Sequence, residues 1–203
     1  MKANISRRSL FLLLGCCLIV APLFANAADD KKKDPEKTRA VKIESLTLNV
    51  PQSWEQKPPS NKLRKAQFSI PKAKDDKEGV ELVIFSFGGG GGGVQANINR
   101  WVGQFESKGR KSKITSGESP QGQYIFVNIT GTYKMPIGPP IAGKTKTIPN
   151  ARMLAVILHV QKAGAVYYLR MAGESKTISA AAEAFRASFE ADTKTEKEVK
   201  NGT

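Results

Sequence analysis

The chain has 203 residues, of which 32 are basic and 18 acidic, so its formal net charge is +14. A chain of this length can bury one ordinary hydrophobic core, and its two cysteines are too few for a disulfide-rich fold. The basic excess is consistent with anionic partners, but the favoured interpretation from the sequence is that the lysines keep the protein in solution.

The first 27 residues have the pattern of an export signal. Lys2, Arg7 and Arg8 precede an apolar run over residues 10–24, and Ala25-Asn26-Ala27 matches the small-x-small pattern cut by signal peptidases. Cleavage there would remove both cysteines and leave a charge of +11. We therefore expect an exported protein, periplasmic or extracellular, for which nucleic acid is not an expected partner.

Two features of this segment leave its processing open. Paired Arg7 and Arg8 within residues 6–12 approximate a twin-arginine export motif, so the general and the twin-arginine routes are both alternatives. Leu13-Leu14-Gly15-Cys16 resembles a lipobox, which would make Cys16 a lipid anchor. The apolar run is shorter than the ~20 residues of a transmembrane helix, and no other segment of the sequence is long and apolar enough to span.

The remaining chain divides by charge. Residues 28–40 and 190–203 mix acidic and basic groups, which predicts a charged linker and a disordered tail. Residues 41–189 carry 21 basic and 10 acidic residues and are expected to form a single domain.

Apolar patterning predicts five or six strands in this domain. Residues 41–50 read as one strand with a slip or bulge, and residues 64–71 alternate, with Lys65, Gln67 and Ser69 on a solvated face. Residues 80–87 are apolar on both faces, which indicates a central strand. The other predicted strands lie within residues 122–135, 153–160 and 165–171.

Two segments have helical spacing of apolar residues, 94–107 and 177–190. Strands that are apolar on both sides need cover on both faces of their sheet. We therefore predict an α+β fold with a single antiparallel sheet sandwiched between helices.

Two resemblances add to this prediction. The glycine-rich segment 87–93, the helix motif Asn97-x-x-Arg100-Trp101-x-x-Gln104-Phe105 and Gly131-Thr132-Tyr133 resemble a family of short exported bacterial proteins without assigned function, common in planctomycetes. This resemblance covers residues 41–189. The order of strands and helices, with Pro51 and Trp54 after the first strand, also resembles the PsbP-like α/β/α sandwich. PsbP-like domains are typically binding or assembly modules, so the resemblance implies such a role here.

The six glycines, residues 88–93, lie between a predicted strand and a predicted helix, where phosphate-binding loops occur. No Gly-Lys-Ser/Thr follows, and an exported protein meets little nucleotide. A flexible connector, or a backbone pressed close to another element, is the favoured interpretation. An anion at the start of the helix is the remaining alternative, and no cofactor is predicted.

Candidate ligand-binding residues fall in two places. Asn97, Arg100 and Gln104 form a polar ridge beside the apolar stripe of the first helix, with Trp101 at the boundary between them. This ridge would either bind a carboxylate or a sugar or, as the favoured interpretation, hydrogen-bond neighbouring loops. The second place is a long predicted loop, residues 135–150, with Lys144 and Lys146.

Catalytic groups are scarce. His159 lies between Leu158 and Val160, which predicts a core imidazole. Asp75, Asp76 and Glu78 lie among lysines in a predicted exposed turn and are too few for a metal site. We predict no catalytic residue and no metal. The leading hypothesis is a non-enzymatic exported binding or assembly module for an anionic envelope component: an envelope polymer, a lipid headgroup or an acidic protein. The alternative is a hydrolase-like enzyme that uses His159 with a carboxylate such as Glu81 or Glu174.

Overall fold

The computed structural model describes residues 36–87, 91–138 and 142–199. The chain divides into two compact units, residues 1–34 and 35–203, and the described residues all belong to the second. The predicted signal segment, Cys16 and the first part of the predicted linker lie outside the described residues.

Apart from a short 3-10 helix (Gln161–Ala163) between the eighth and ninth strands, the described residues form ten strands and two α-helices. In chain order these are β1 (Thr38–Ile43), β2 (Leu46–Pro51), β3 (Glu55–Lys57), β4 (Arg64–Ile70), β5 (Val80–Ser86), α1 (Val94–Gly103), β6 (Lys111–Ser119), β7 (Gly122–Pro136), β8 (Thr145–Val160), β9 (Ala165–Glu174), α2 (Ser175–Ser188) and β10 (Asp192–Glu198). Within the described ranges, neither helix has the length and apolar character needed to cross a membrane.

Eight of the strands form one antiparallel sheet in the order β10-β6-β7-β8-β9-β5-β4-β3, and β1 pairs with β2 in a separate hairpin. The predicted α+β class is therefore confirmed, and β5 is central as predicted. Successive side chains of a strand point to opposite faces, so the sheet has an α1 face and an α2 face, each with its own core.

The α2 face is covered by α2 together with the β1–β2 hairpin. Leu48, Phe68, Phe185 and Phe189 are fully buried there. The turn of the hairpin is attached to the sheet, because the hydroxyl oxygens of Ser45 and Tyr167 lie 2.9 Å apart. These elements seal this face of the sheet.

The start of α2 is capped by the loop between β4 and β5. Asp76 Oδ2 accepts hydrogen bonds from Thr177 N at 2.7 Å and Thr177 Oγ1 at 2.6 Å, which satisfies a free backbone donor of the helix. Sequence analysis placed Asp76 in an exposed turn, and the structure corrects this: Asp76 is buried.

The α1 face has less cover, because α1 has only ten residues. Ile98 and Trp101 of α1 and the following Phe105 pack on the sheet, where Val127 and Ile129 are fully buried. Cavities lie on both sides of α1, one toward β5 and β9 and one toward β6 and β10.

The C-terminal segment corrects a second prediction. Within the predicted disordered tail, β10 pairs with β6. Glu196 anchors it by forming an ion pair with Arg186 and accepting hydrogen bonds from Tyr124 Oη at 2.9 Å and Thr115 Oγ1 at 3.0 Å. These partners come from α2 and the sheet. The charged sequence of the tail therefore does not indicate a strand, although β10 is one.

Three further boundaries differ from the predictions. Residues 41–50 are not one strand but parts of a hairpin that turns at Glu44, whose φ of 55° is left-handed. The first strand, β1, begins at Thr38 inside the predicted linker.

The polar strands β3 and β6 were not predicted. The predicted loop 135–150 is partly strand, because residues 135–136 belong to β7 and residues 145–150 to β8. Residues 139–141 lie outside the described ranges. Pro149 is tolerated in β8 because pairing of β8 with β9 begins only at Ala151.

Candidate functional site

A cavity of about 150 Å³ lies between α1, β5 and β9. Four of its lining residues are aromatic, two are arginines and one is an asparagine. They are Phe85, Phe87, Tyr168, Trp101, Arg100, Arg170 and Asn97. We call this the arginine–aromatic cavity.

Strand register builds the aromatic wall of this cavity. Phe85 of β5 pairs with Tyr168 of β9, and Phe87 follows two residues later on the same face. The Phe87 ring centroid lies 6.0 Å from that of Phe85 and 5.7 Å from that of Tyr168. Phe85 and Phe87 are only half-buried, so apolar ring surface remains accessible there.

Gly91, the first described residue of the glycine run, packs against this wall. At Gly91, where φ is +59°, an added Cβ would lie 2.7 Å from Phe87 Cδ2 and 3.1 Å from Tyr168 Oη. Both the left-handed backbone and the lack of space require glycine. The favoured interpretation of a backbone pressed against another element is confirmed at Gly91, and residues 88–90 lie outside the described ranges.

Asn97 is fully buried and connects the glycine loop to Arg100. Its Nδ2 donates to the carbonyl oxygens of Gly91 at 2.8 Å and Gly93 at 2.7 Å. Its Oδ1 accepts a hydrogen bond from Arg100, which is exposed. Asn97 thus stabilises the loop, and it also orients the Arg100 guanidinium.

A second amide holds the second arginine. Arg170 is half-buried, and its Nη1 donates to Gln104 Oε1 at 3.3 Å. The same oxygen lies 3.5 Å from Tyr133 Oη. Burial is the main cause that lowers the pKa of Arg170. The nearby Tyr133 acts in the opposite direction, and the charges of Arg64 and Arg100 lower the pKa further.

These charges are only partly compensated. Arg64 forms an ion pair with Glu81 at 3.0 Å, but its buried Nε has no hydrogen-bond partner among the described residues. Within those same residues, neither Arg100 nor Arg170 has a carboxylate oxygen within 4.0 Å. Of these three neighbouring arginines, only Arg64 is paired with a carboxylate among the described residues, which leaves an excess of positive charge there.

The structure does not bring Lys144 and Lys146 to this cavity. Lys146 Nζ forms an ion pair with Glu78 Oε1 at 2.8 Å and lines a different cavity of about 120 Å³. Lys144 is exposed near the end of the β7–β8 hairpin. Of the sequence-predicted ligand-binding residues, Asn97, Arg100 and Trp101 line the arginine–aromatic cavity, and Gln104 contacts it through Arg170.

His159 corrects another prediction, because it is exposed rather than a core residue. Leu158 and Val160 point into the α2-face core, so alternation turns His159 to the other face, beyond the cover of α1. It lines a larger cavity of about 730 Å³ together with Glu118 and Lys197.

The carboxylates first considered as partners for His159 do not line that cavity. Glu81 is bonded to Arg64, and Glu174 Oε2 accepts from Lys77 N at 2.6 Å. No group of three His, Cys, Asp or Glu side chains suitable for a metal ion occurs in the described part of the chain.

Sequence reasoning missed Arg170 and its aromatic neighbours as site residues. The available signal was a single arginine in β9, a strand otherwise dominated by apolar side chains. A charged residue on such a strand needs a polar partner or a cavity.

Comparisons with known proteins leave the family open. No protein-family model matches the chain, and no curated protein matches it. Matching solved structures include PsbP from Synechocystis (TM-score 0.42, 10% identity, 83% of this chain and 96% of that chain). LpqN of Mycobacterium tuberculosis, involved in cell envelope biogenesis, matches with TM-score 0.40 and 14% identity over 83% and 88%. The Ran-binding protein Mog1p of Saccharomyces cerevisiae matches with TM-score 0.41 and 8% identity over 73% and 84%. Likeness at this level carries no functional argument.

Proposed function

We propose that this chain is an exported, non-enzymatic binding module that holds an anionic ligand between Arg100 and Arg170. The observation that carries the proposal is the way in which the two guanidinium groups are held. Asn97 and Gln104 orient them through neutral amide oxygens. An amide positions a guanidinium without cancelling its charge, so the charge is left for an oxyanion of a ligand.

The electrostatic cost of burying Arg170 favours the same function. A half-buried arginine beside two other arginines carries a desolvation cost and like-charge repulsion, both of which lower the pKa of Arg170. An anion in the cavity would offset both the desolvation cost and the repulsion between the arginines. Guanidinium groups also bind carboxylates and phosphates through paired hydrogen bonds, which adds orientation to attraction.

Export supports the choice of ligand class. The pattern of residues 1–27 predicts export from the cytoplasm. In the cell envelope, the expected anions are acidic wall polymers, phospholipid headgroups and acidic proteins. Whether the chain is freed after Ala27 or tethered at Cys16 does not change the chemistry of the cavity.

A binding role is favoured over catalysis by the separation of the groups. His159 lies in a different cavity from Arg100 and Arg170, and the described residues provide no hydrogen bond that orients its imidazole. A hydrolase that used His159 would have to pair it with Glu118, the carboxylate that lines the same cavity.

Arg152 provides a matched control for a test of this proposal. It is also half-buried and also held by neutral oxygens, Asn128 Oδ1 at 3.0 Å and Ser179 Oγ at 2.9 Å, but it lies outside the arginine–aromatic cavity. We expect inorganic phosphate, compared with chloride at equal ionic strength, to raise the melting temperature of the wild type and of Arg152→Gln. Arg170→Gln should show no such rise.

The stability of the ligand-free variant adds a second readout. Because Arg170→Gln removes an incompletely compensated charge, its free energy of unfolding should equal or exceed that of the wild type. A phosphate-dependent rise that persists in Arg170→Gln would contradict the proposal, and so would its loss in Arg152→Gln alone.

A further inference from the structure

We infer that the ligand of the arginine–aromatic cavity is a small amphiphilic anion, in which one aromatic or short alkyl group carries a phosphate or carboxylate. This inference rests on the proposed function and deepens it by naming the ligand class. The apolar group would fill the cavity, and the anionic group would contact Arg100 and Arg170.

The size of the cavity limits the size of the apolar group of the ligand. A volume of about 150 Å³ is close to that of apolar cavities that accept a benzene-sized molecule. A bare phosphate or carboxylate would leave much of this space to water. A long acyl chain would exceed it, so the cavity fits one ring or a short branched alkyl group.

The aromatic lining of the cavity favours an apolar group on the ligand. Four of the seven lining residues are aromatic, and they come from both sides: Trp101 from α1, and the half-buried Phe85 and Phe87 from the end of β5 and just beyond it. Rings in such a setting favour an apolar guest in edge or offset contact. A site for a fully hydrated anion does not need this surface.

The positions of the two arginines determine where the anionic group of the ligand would bind. Arg100 comes from α1 and is exposed, whereas Arg170 comes from β9 and is half-buried. The anionic group can thus meet donors from two elements while its apolar substituent contacts the rings between them. Both halves of an amphiphilic ligand are accommodated by residues of one cavity.

Tryptophan fluorescence can test this inference, because the chain has two tryptophans. Trp101 lines the cavity, and Trp54 is buried in the other core. In a Trp54→Phe variant, emission reports on Trp101 alone. Phenylphosphate, inorganic phosphate and phenol are titrated separately, and isothermal calorimetry repeats each titration in case binding leaves the emission unchanged.

We expect phenylphosphate to bind at least about tenfold more tightly than inorganic phosphate, because its ring leaves water for an apolar surface. Phenol should not bind measurably. Phe87→Ala should weaken phenylphosphate binding more than phosphate binding, and Arg170→Gln should weaken both. Circular dichroism of each variant checks that the fold is retained.

The outcomes separate this inference from the proposed function. Equal affinities for phenylphosphate and phosphate would overturn the amphiphile and leave anion binding standing. Phenol binding as tightly as phenylphosphate would overturn both, because the arginines would then contribute nothing. Binding of neither anion would also overturn both.

Discussion

A half-buried arginine has different surroundings on the two faces of the sheet. Each contains a half-buried arginine held by neutral oxygens: Arg152 on the α2 face and Arg170 on the α1 face. Arg152 lies beside a sealed core, whereas Arg170 opens onto an aromatic cavity. The difference teaches that covering elements, rather than the arginine itself, decide whether a buried charge is structural or available to a ligand.

The helices show the same contrast. α2 has fourteen residues, and the buried Asp76 caps its start from a distant loop. α1 has ten residues and follows Gly93 without a side-chain cap at its start, although Arg110 Nη1 donates to Val102 O at 3.1 Å and to Phe105 O at 3.2 Å at its end. We infer that the α2 face supplies most of the stability and the α1 face supplies the ligand site.

Truncation of one phenylalanine on each face should reveal this division most strongly. Phe185→Ala removes a fully buried ring from the α2 core and should lower the free energy of unfolding by about 3–5 kcal/mol. Phe87→Ala removes a half-buried ring and should cost about 1–2 kcal/mol. Urea denaturation measures both values, and equal losses would break the proposed contrast.

The next largest effect should follow from loss of the anchor of β10. Glu196→Gln removes the negative charge that faces the half-buried Arg186, which should destabilise the protein by about 2–3 kcal/mol. Hydrogen exchange should accelerate first in β10. Glu198→Gln, at an exposed position of the same strand, is the control. Unchanged exchange in Glu196→Gln would show that the backbone ladder alone holds β10.

The cap of α2 should give a smaller effect. Asp76→Ala leaves Thr177 N without its acceptor and should lower the free energy of unfolding by about 1–2 kcal/mol. The neighbouring Asp75→Ala breaks only an exposed, solvent-screened ion pair with Lys176 and should leave the free energy of unfolding almost unchanged. Similar losses in the two variants would argue that the loop, and not the cap, stabilises α2.

Sequence patterns predicted those parts of the site that depend on local structure. The 3.6-residue period places Asn97 and Arg100 close to Trp101, and in the structure these three residues line one cavity. The predicted helix 94–107 ends earlier, at Gly103, so Gln104 follows α1 and meets the site only through Arg170. Arg170 could not be assigned in the same way, because only the pairing of β9 with β5 brings it to the aromatic wall.

The errors also have a common physical cause, which is contact between residues distant in sequence. Residues 192–198 read as a polar tail because Glu196 finds its partners in α2 and the sheet. His159 read as a core residue from its apolar neighbours, but the cover above its face ends before reaching it. Strand alternation is visible in a sequence, whereas the extent of a covering helix is not.

The most direct test of the central claim compares the two tryptophans, one on each face. In a two-dimensional nitrogen–proton spectrum, the indole N–H signals of Trp101 and Trp54 are distinguished by the loss of one in Trp54→Phe. We predict that phenylphosphate shifts the Trp101 signal saturably and leaves the Trp54 signal in place. A shift confined to Trp54, or no shift of either signal, would contradict a ligand site on the α1 face.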